Sequence, residues 1–259
     1  MDPLAFVTAL AADAAALLRE RLDEPRTIGR KGPRDLVTDA DRASEALIVA
    51  RIRDAFPGAA ILGEEGGAYA QSIPAARERF IVDPLDGTTN YAHRYPLFCV
   101  SIAFERDGVT EAGAIAAPMI GEMFAARRGG GATRNGLPLQ VSSVDVLGDA
   151  MVCTGFNPSQ YDRNGPYFAA MSRAAQAVRR DGSAALDLAF VAAGVYDAFW
   201  EWDLHPWDVA AGALLIAEAG GRVGTVDGGA YRVDAGSILA SNGRIHDESL
   251  AALRRAEIA

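Results

Sequence analysis

The chain has 259 residues and is 50% hydrophobic, which is ample for a core in one large domain or two closely joined halves. Its formal net charge of −9 argues against a nonspecific nucleic-acid binder, because phosphate backbones attract basic surfaces. The few cysteines and histidines lack zinc-finger spacing, and no apolar run reaches membrane-spanning length. Asp2 and Asp13 are atypical of an export signal. We therefore expect a soluble cytoplasmic protein that uses neither nucleic acid nor membrane as a partner.

The first part of the chain predicts helices and then strands. Apolar residues at helical spacing between Leu4 and Leu18 predict an amphipathic first helix. Residues 23–38, rich in glycine, proline and charge, predict a loop or irregular hairpin. Thr38 or Asp39 can cap a helix that runs to about Phe56. The strands predicted after this helix cover 59–62, 80–82 and several segments between 99 and 127.

The strand-rich part gives way to alternating elements around 142–150. Helices are predicted over 159–177, 184–193, 207–219 and 247–255, with Ser183 as the cap of the second. Shorter strands are predicted over 196–201, 223–225 and 237–240. We expect one domain over 1–259, with an N-terminal half of about 1–145 and a C-terminal half of about 146–259. This mixture of elements favours a layered α+β architecture.

The strongest chemical signal is the string D-P-L-D-G-T-T-N at 83–90, which follows a short apolar run. Pro84 fixes its own φ and biases Asp83 toward extended geometry. Such a turn can direct both aspartates, Asp83 and Asp86, and the Leu85 carbonyl toward one point. Carboxylates suit a hard cation such as Mg²⁺, and N–H groups at a helix start suit a phosphate. An ordinary strand–turn–helix with an aspartate cap is the alternative, but the full string favours metal-assisted phosphoryl chemistry.

Three further acidic segments are individually ambiguous. The pair Glu64-Glu65, flanked by glycines, is either a solvated turn or a second acidic loop for a two-metal site. Asp208 opens an apolar helix, so it either complements the helix dipole or binds a cation. Asp39 and Asp41 cannot face the same side of a helix. One of them is therefore expected to cap and the other to be functional or a buried partner.

Taken in order, these segments resemble the inositol monophosphatase family of Mg²⁺-dependent, lithium-sensitive phosphatases. The matching strings are D-L-V-T-D-A-D (35–41), G-E-E (63–65), D-P-L-D-G-T-T-N-Y-A-H-R-Y-P (83–96), G-S-A-A-L-D-L-A (182–189) and P-W-D-V-A-A-G (206–212). The resemblance covers nearly the whole chain, and T-T-N-Y-A-H is similar to the inositol monophosphatase branch. It implies a layered αβαβα sandwich of the sugar-phosphatase type and a homodimer.

The resemblance also implies roles for individual residues, in three groups. The metal ligands it implies, for two or three Mg²⁺ ions, are Glu64, Asp83, the Leu85 carbonyl, Asp86 and Asp208. The catalytic groups it implies, acting on the attacking water, are Asp41, Glu64 and Thr88. The substrate contacts it implies are Asp86, Gly87, Thr88, Ala184, Glu201 and Asp208. Glu65 matches a supporting acid, whereas Asp181 adds a charge where the family varies, and its role stays open.

The implied activity is hydrolysis of myo-inositol monophosphate to inositol and phosphate by direct attack of a metal-activated water. Alternatives within the class are fructose 1,6-bisphosphate, histidinol phosphate or a 3′-phosphonucleotide. An alternative of another class is a catalytically idle binding protein. The five acids Asp41, Glu64, Asp83, Asp86 and Asp208 are all present, which argues against lost catalysis.

Overall fold

The computed structural model describes residues 1–24, 27–32, 35–66, 76–156 and 161–256. The helices in these ranges are α1 (Pro3–Arg21), α2 (Asp39–Ala55), α3 (Thr88–Ala92), α4 (Tyr161–Ala174), α5 (Ala184–Ala192), α6 (Pro206–Glu218) and α7 (His246–Ala256). None of the helices in the described ranges is both long and apolar enough to cross a bilayer.

A hairpin and two larger sheets contain the strands. The hairpin pairs β1 (Ile28–Gly32) with β2 (Asp35–Thr38), in the segment where a loop or hairpin is predicted. The larger sheet follows chain order: β3 (Ala60–Gly63), β4 (Glu78–Asp86), β5 (Cys99–Arg106), β6 (Val109–Ala117), β7 (Glu122–Arg127), β8 (Gly131–Arg134) and β9 (Leu137–Pro138). Only its first pair, β3 with β4, is parallel.

The second sheet has the order β11-β10-β12-β14-β13. Its strands are β10 (Met151–Thr154), β11 (Ala177–Arg179), β12 (Ala198–Trp202), β13 (Arg222–Gly224) and β14 (Ser237–Ser241). The seven-stranded sheet is thus complete before the five-stranded sheet begins. The division of the chain into halves of one domain stays a prediction.

Helices and sheets alternate in five layers. Helices α1 and α2 pack on one face of the seven-stranded sheet, where the rings of Phe6, Phe56, Phe80 and Phe104 form a cluster of tilted and edge-to-face pairs. Helices α5 and α6 lie between the two sheets, and α4 and α7 contact each other and the five-stranded sheet. The small side chains of α5 and α6 permit this burial between two sheets; Gly212 of α6, for example, lies directly against Leu188 of α5. The predicted α+β sandwich is confirmed.

Two sequence predictions of local structure are wrong. Strand β10 was not predicted, and the helix predicted to reach 177 ends at Ala174, after which 177–179 forms β11. Parallel pairing between these two short strands provides hydrogen bonds that no local pattern reveals. The first two residues of that predicted helix, 159–160, lie outside the described residues.

Candidate active site

An irregularity in β4 places two aspartates around a tight turn. The strand pairs with β5 as far as Asp83 and again at Asp86, with a register shift between them. Pro84 lies at this shift, where its missing N–H removes no regular ladder bond. The Leu85 N–H donates to Asp83 Oδ1 at 3.0 Å, and the Ser44 hydroxyl donates to the Pro84 carbonyl at 2.8 Å. The turn is therefore held both from within and by α2.

The turn continues into α3 through a glycine in the left-handed region. Gly87 has φ 92°, and a Cβ there would lie 3.1 Å from the Leu97 carbonyl oxygen. Both the conformation and the space therefore favour glycine. Helix α3 then begins at Thr88, as the sequence predicts, and the Thr88 side chain lies beside the preceding turn.

Asp41 is a buried carboxylate shared between a helix cap and Thr88. Its Oδ2 accepts from the Thr38 N–H at 2.8 Å and the Thr38 hydroxyl at 2.5 Å, while its Oδ1 accepts from the Thr88 hydroxyl at 2.9 Å. Burial raises the pKa of Asp41, although the bonds from Thr38 and Thr88 oppose the shift. Thr38 is the N-cap of α2, and Asp39 instead accepts from the Thr27 N–H at the surface. Asp41 is thus the buried partner of the two candidate acids, but the expectation that the other acid caps α2 is wrong, because Thr38 occupies the N-cap position.

The Glu64 turn is attached to α2 by an acid that the sequence did not single out. The buried Glu45 accepts from the Glu65 and Gly66 N–H groups at 3.2 and 3.0 Å through its Oε1. A side chain at Gly63 would collide with this carboxylate, so the glycine permits the approach. Glu45 therefore fixes the turn that presents Glu64 to the cleft described below.

The start of α5 holds Asp86 from the other half of the chain. Asp86 Oδ2 accepts from the Ser183 hydroxyl at 2.8 Å and from the Ala185 N–H at 2.7 Å. Ser183 occupies the N-cap position, as predicted, but its hydroxyl does not cap the helix. The predicted capping bond is wrong because the buried Asp86 carboxylate accepts from the Ala185 N–H, a group to which a capping hydroxyl would otherwise bond. One oxygen of Asp86 is thus committed to α5.

Glu201 and Asp208 come from the end of β12 and the first turn of α6. Asp208 Oδ2 accepts from the His205 N–H at 2.6 Å, so this acid supports the helix start. The carboxylate of Glu201 lies so close to Gly155 that any side chain there would collide with it. Burial, together with the charges of Asp208 and Asp86, raises the pKa of Glu201 well above its usual value.

A cleft of about 880 Å³ joins these elements. The predicted site residues that line it are Glu64, Asp86, Gly87, Thr88, Ala184, Glu201 and Asp208. Asp41, Asp83 and Leu85 are buried, and hydrogen bonds connect Asp41 and Leu85 to Thr88. The structure thus brings all the predicted site residues to one region, whereas Ser44, Glu45 and Ser183 are supports that the sequence analysis did not identify as such.

The acids of this region are costly to ionise together. Burial, followed by the charges of Glu64, Asp86 and Asp208, raises the pKa of Asp83 well above its usual range. Burial also raises the pKa of Asp86 to about 6, against the opposing bonds from Ser183 and Ala185. Repulsion between neighbouring carboxylates, and their desolvation, are relieved when a positive charge is placed among them.

The donor set fits a hard divalent cation. Asp83, Asp86, Asp208, Glu64 and the Leu85 carbonyl supply only oxygen atoms, which Mg²⁺ prefers. Among the described residues, no three His, Cys, Asp or Glu side chains are already gathered as a ready-made metal site. Protein N–H or hydroxyl groups hold Asp83, Asp86 and Asp208 in this arrangement. The charges of Glu64, Asp86 and Asp208 nevertheless act on Asp83, because each of them raises its pKa.

Comparison with known proteins identifies the family. The family model described as "Inositol monophosphatase family" matches residues 2–259. The chain belongs to the inositol monophosphatase family. The predicted resemblance is therefore confirmed over essentially the whole chain.

Individual relatives carry two kinds of name. The chain is 44% identical over 231 residues to an inositol-1-monophosphatase of Mesorhizobium japonicum, covering 88% of this chain and 86% of that protein. It is 43% identical over 251 residues to the Nus factor SuhB of Pseudomonas aeruginosa, covering 93% and 92%. The crystal structure of the extragenic suppressor protein suhB from Bartonella henselae superposes with a TM-score of 0.92 at 37% identity, covering 97% and 98% of the two chains. One of these names is that of an enzyme, whereas the other two are those of a Nus factor and an extragenic suppressor protein.

Proposed function

We propose that this protein is a Mg²⁺-dependent phosphatase that hydrolyses myo-inositol monophosphate to inositol and phosphate. The observation that carries the proposal is the buried Asp83, whose ionisation is opposed by Glu64, Asp86 and Asp208 beside a cleft. The Asp41–Thr88 hydrogen bond lies next to the same turn. Membership of a family that is generally metal-dependent supports this assignment.

The residues proposed to hold Mg²⁺ form two overlapping sets. Glu64, Asp83 and the Leu85 carbonyl form the first, and Asp83, Asp86 and Asp208 form the second, so Asp83 belongs to both. A third, weaker ion is expected near Glu64. When bound, the ions would lower the pKa of a water molecule and neutralise charge on the phosphoryl and leaving oxygens.

Asp41 and Thr88 are proposed to assist proton removal from the attacking water, with Glu64 facing the same water. The Thr88 hydroxyl donates to Asp41 Oδ1, so the lone pairs of Thr88 are directed away from that carboxylate. Thr38 occupies Asp41 Oδ2 with two further bonds, which fixes the orientation of the carboxylate. The pair is therefore preorganised, as a general-base relay requires.

The remaining cleft residues are proposed to position the substrate. Backbone N–H groups of Gly87 and Thr88 would hold the phosphate at the start of α3, and Ala184 and Glu201 would contact hydroxyls of the inositol ring. Asp86 and Asp208, which line the same cleft, are proposed to contact the substrate as well. Lithium sensitivity, a homodimer and a cytoplasmic location remain predictions from the family resemblance.

A binding function is the second candidate, because one relative is named Nus factor SuhB. The intact set of acids favours catalysis, but it does not identify the ester. We therefore expect a side-by-side panel with Mg²⁺ to decide between the candidates. It would contain inositol monophosphate, fructose 1,6-bisphosphate, histidinol phosphate and a 3′-phosphonucleotide, with the Asp83→Asn variant as the background control.

Inositol monophosphate should show the highest kcat/KM of the panel. A higher value for another ester would replace the proposed substrate. No turnover of any ester above the variant background would favour the binding function instead.

A further inference from the structure

Asp181 is a cleft-lining acid that the proposed function leaves without a role. It precedes Gly182, whose φ is 83°, and the Ser183 that binds Asp86. It therefore lines the same cleft as Thr88, a proposed phosphate contact, and Glu201, a proposed contact of the alcohol. A carboxylate at this position adds negative charge to the surroundings of the alcohol part of a bound ester.

Two side chains from separate elements hold Asp181 in place. The Asn90 amide of α3 donates to the Asp181 carbonyl at 2.8 Å and to the Leu97 carbonyl at 2.5 Å. The Tyr196 hydroxyl donates to Asp181 Oδ2. Tyr196 is itself buried, with its ring edge-on to Phe190 at 5.7 Å. A movement of the Asp181 side chain would therefore break its hydrogen bond to the buried Tyr196.

Acids outnumber arginines along the cleft that Asp181 lines. Arg180 is one of its two arginines, and its guanidinium donates to the Phe156 carbonyl at 2.6 Å and lies 4.7 Å from the ring centroid of Phe156. The exposed Asp203 is paired with Arg163 at 3.1 Å. The other cleft-lining arginine is Arg30, and the cleft-lining acids are Glu64, Asp86, Asp181, Glu201, Asp203 and Asp208.

We propose that Asp181 is a specificity-determining residue, whose anchored carboxylate favours esters with a neutral or cationic alcohol and disfavours those whose alcohol carries a second anion. This inference rests on the proposed phosphatase function and specifies its substrate class. A like charge placed close by in a partly desolvated cleft weakens binding, whereas an opposite charge strengthens it. Tyr196 acts as a positioning residue, because it keeps the charge of Asp181 at the cleft.

Three two-carbon phosphate esters test this inference with Mg²⁺ present. Phosphoethanolamine has a cationic alcohol, 2-hydroxyethyl phosphate a neutral one, and phosphoglycolate an anionic one. Intrinsic differences between the esters cancel when kcat/KM of Asp181→Asn is divided by that of the unmodified protein. We expect a ratio of about ten for phosphoglycolate and about one tenth for phosphoethanolamine, with the neutral ester between them.

Asp203→Asn is the matched control, because it removes the same formal charge from an exposed position on the same wall, where solvent and salt screen the change. Its ratios should be equal for the three esters. Tyr196→Phe keeps the charge but loses the tether, so it should reduce the discrimination only partly. Thermal melting of each variant checks that the fold is retained.

Equal ratios for the three esters in folded Asp181→Asn would overturn the inference while leaving the phosphatase function intact. Charge-dependent ratios without any hydrolysis of inositol monophosphate would support the inference and overturn only the proposed substrate. No hydrolysis of any ester, inositol monophosphate included, would overturn both.

Discussion

Two loops that enter helices at the cleft differ in how they are held. The 83–88 loop combines bonds within itself with bonds to other elements: the Leu85 N–H donates to Asp83 and the Thr88 hydroxyl to the Leu85 carbonyl, while Ser44 of α2 donates to the Pro84 carbonyl. The side-chain bonds of the 180–184 loop described above join it to residues distant in sequence, since Ser183 donates to Asp86 and Asp181 accepts from Tyr196. The proposed reactive groups therefore lie on a loop that is partly held from within, whereas the proposed alcohol side depends on contacts distant in sequence.

The largest expected effect comes from the 83–88 loop. Asp83→Asn should lower kcat by at least about a thousandfold for every ester, above the roughly 10²–10³ typical of losing one electrostatic contact. The reason is that Asp83 belongs to both proposed metal sets. The amide oxygen can still accept from the Leu85 N–H, and removing one negative charge relieves repulsion in the metal-free protein, so melting should show a retained fold. Near-normal turnover by the purified variant would refute the bridging assignment.

The alcohol side should instead show an effect that depends on the ester. Glu201→Gln is expected to lose about 10- to 150-fold in kcat/KM on inositol monophosphate, because a hydrogen bond to a charged acid contributes roughly 1.5–3 kcal/mol. The loss on p-nitrophenyl phosphate, which has no hydroxyls at that place, should be much smaller. Equal losses on both substrates would show that Glu201 acts on the metals or the fold, and no loss on either would make it an ordinary acid at a strand end.

Ser183 connects the two loops and should show an intermediate pattern. Ser183→Ala removes the 2.8 Å bond to Asp86, so kcat should fall about tenfold for inositol monophosphate and p-nitrophenyl phosphate alike. Ser183→Thr keeps a hydroxyl and should restore most of the activity. If Ser183→Ala and Ser183→Thr lower kcat equally, the hydroxyl does not orient Asp86, and the bond between Ser183 and Asp86 does not couple the two loops.

The last prediction concerns stability rather than turnover and involves the charge of the 83–88 loop. The folded pKa of Asp86, about 6, lies above its ordinary value of 3.8, so the folded protein binds this proton more tightly. The free energy of unfolding of the metal-free protein should therefore fall as the pH rises from about 4 to about 6. Asp86 alone contributes on the order of 3 kcal/mol, at about 1.4 kcal/mol for each pKa unit.

Denaturant unfolding in the presence of a chelator would measure how the free energy of unfolding depends on pH. Asp86→Asn is the control, because it lacks the titrating carboxyl group. Added Mg²⁺ should stabilise the protein more at pH 7.5 than at pH 4.5, because protonation competes with the cation. The same pH dependence in both proteins would show that Asp86 is not the source.

The comparison of the two loops also explains what the sequence could predict. The 83–88 turn and its candidate ligands were readable because proline, glycine and two acids act within a few residues. The layered fold was readable because helical and strand periodicities alternate along the chain. The hydrogen bond from Ser183 to Asp86 and the pairing of β10 with β11 could not be predicted, because both depend on residues that are far apart in sequence. Ser183 was predicted to cap α5, and only the tertiary structure shows the competing acceptor.

Phosphate release from inositol monophosphate by metal-stripped protein shows directly whether turnover depends on the cation. We expect no activity in chelator, recovery on titration with Mg²⁺, and little activity with Ca²⁺, whose larger and looser coordination shell positions water poorly. Full activity in chelator would contradict this expectation.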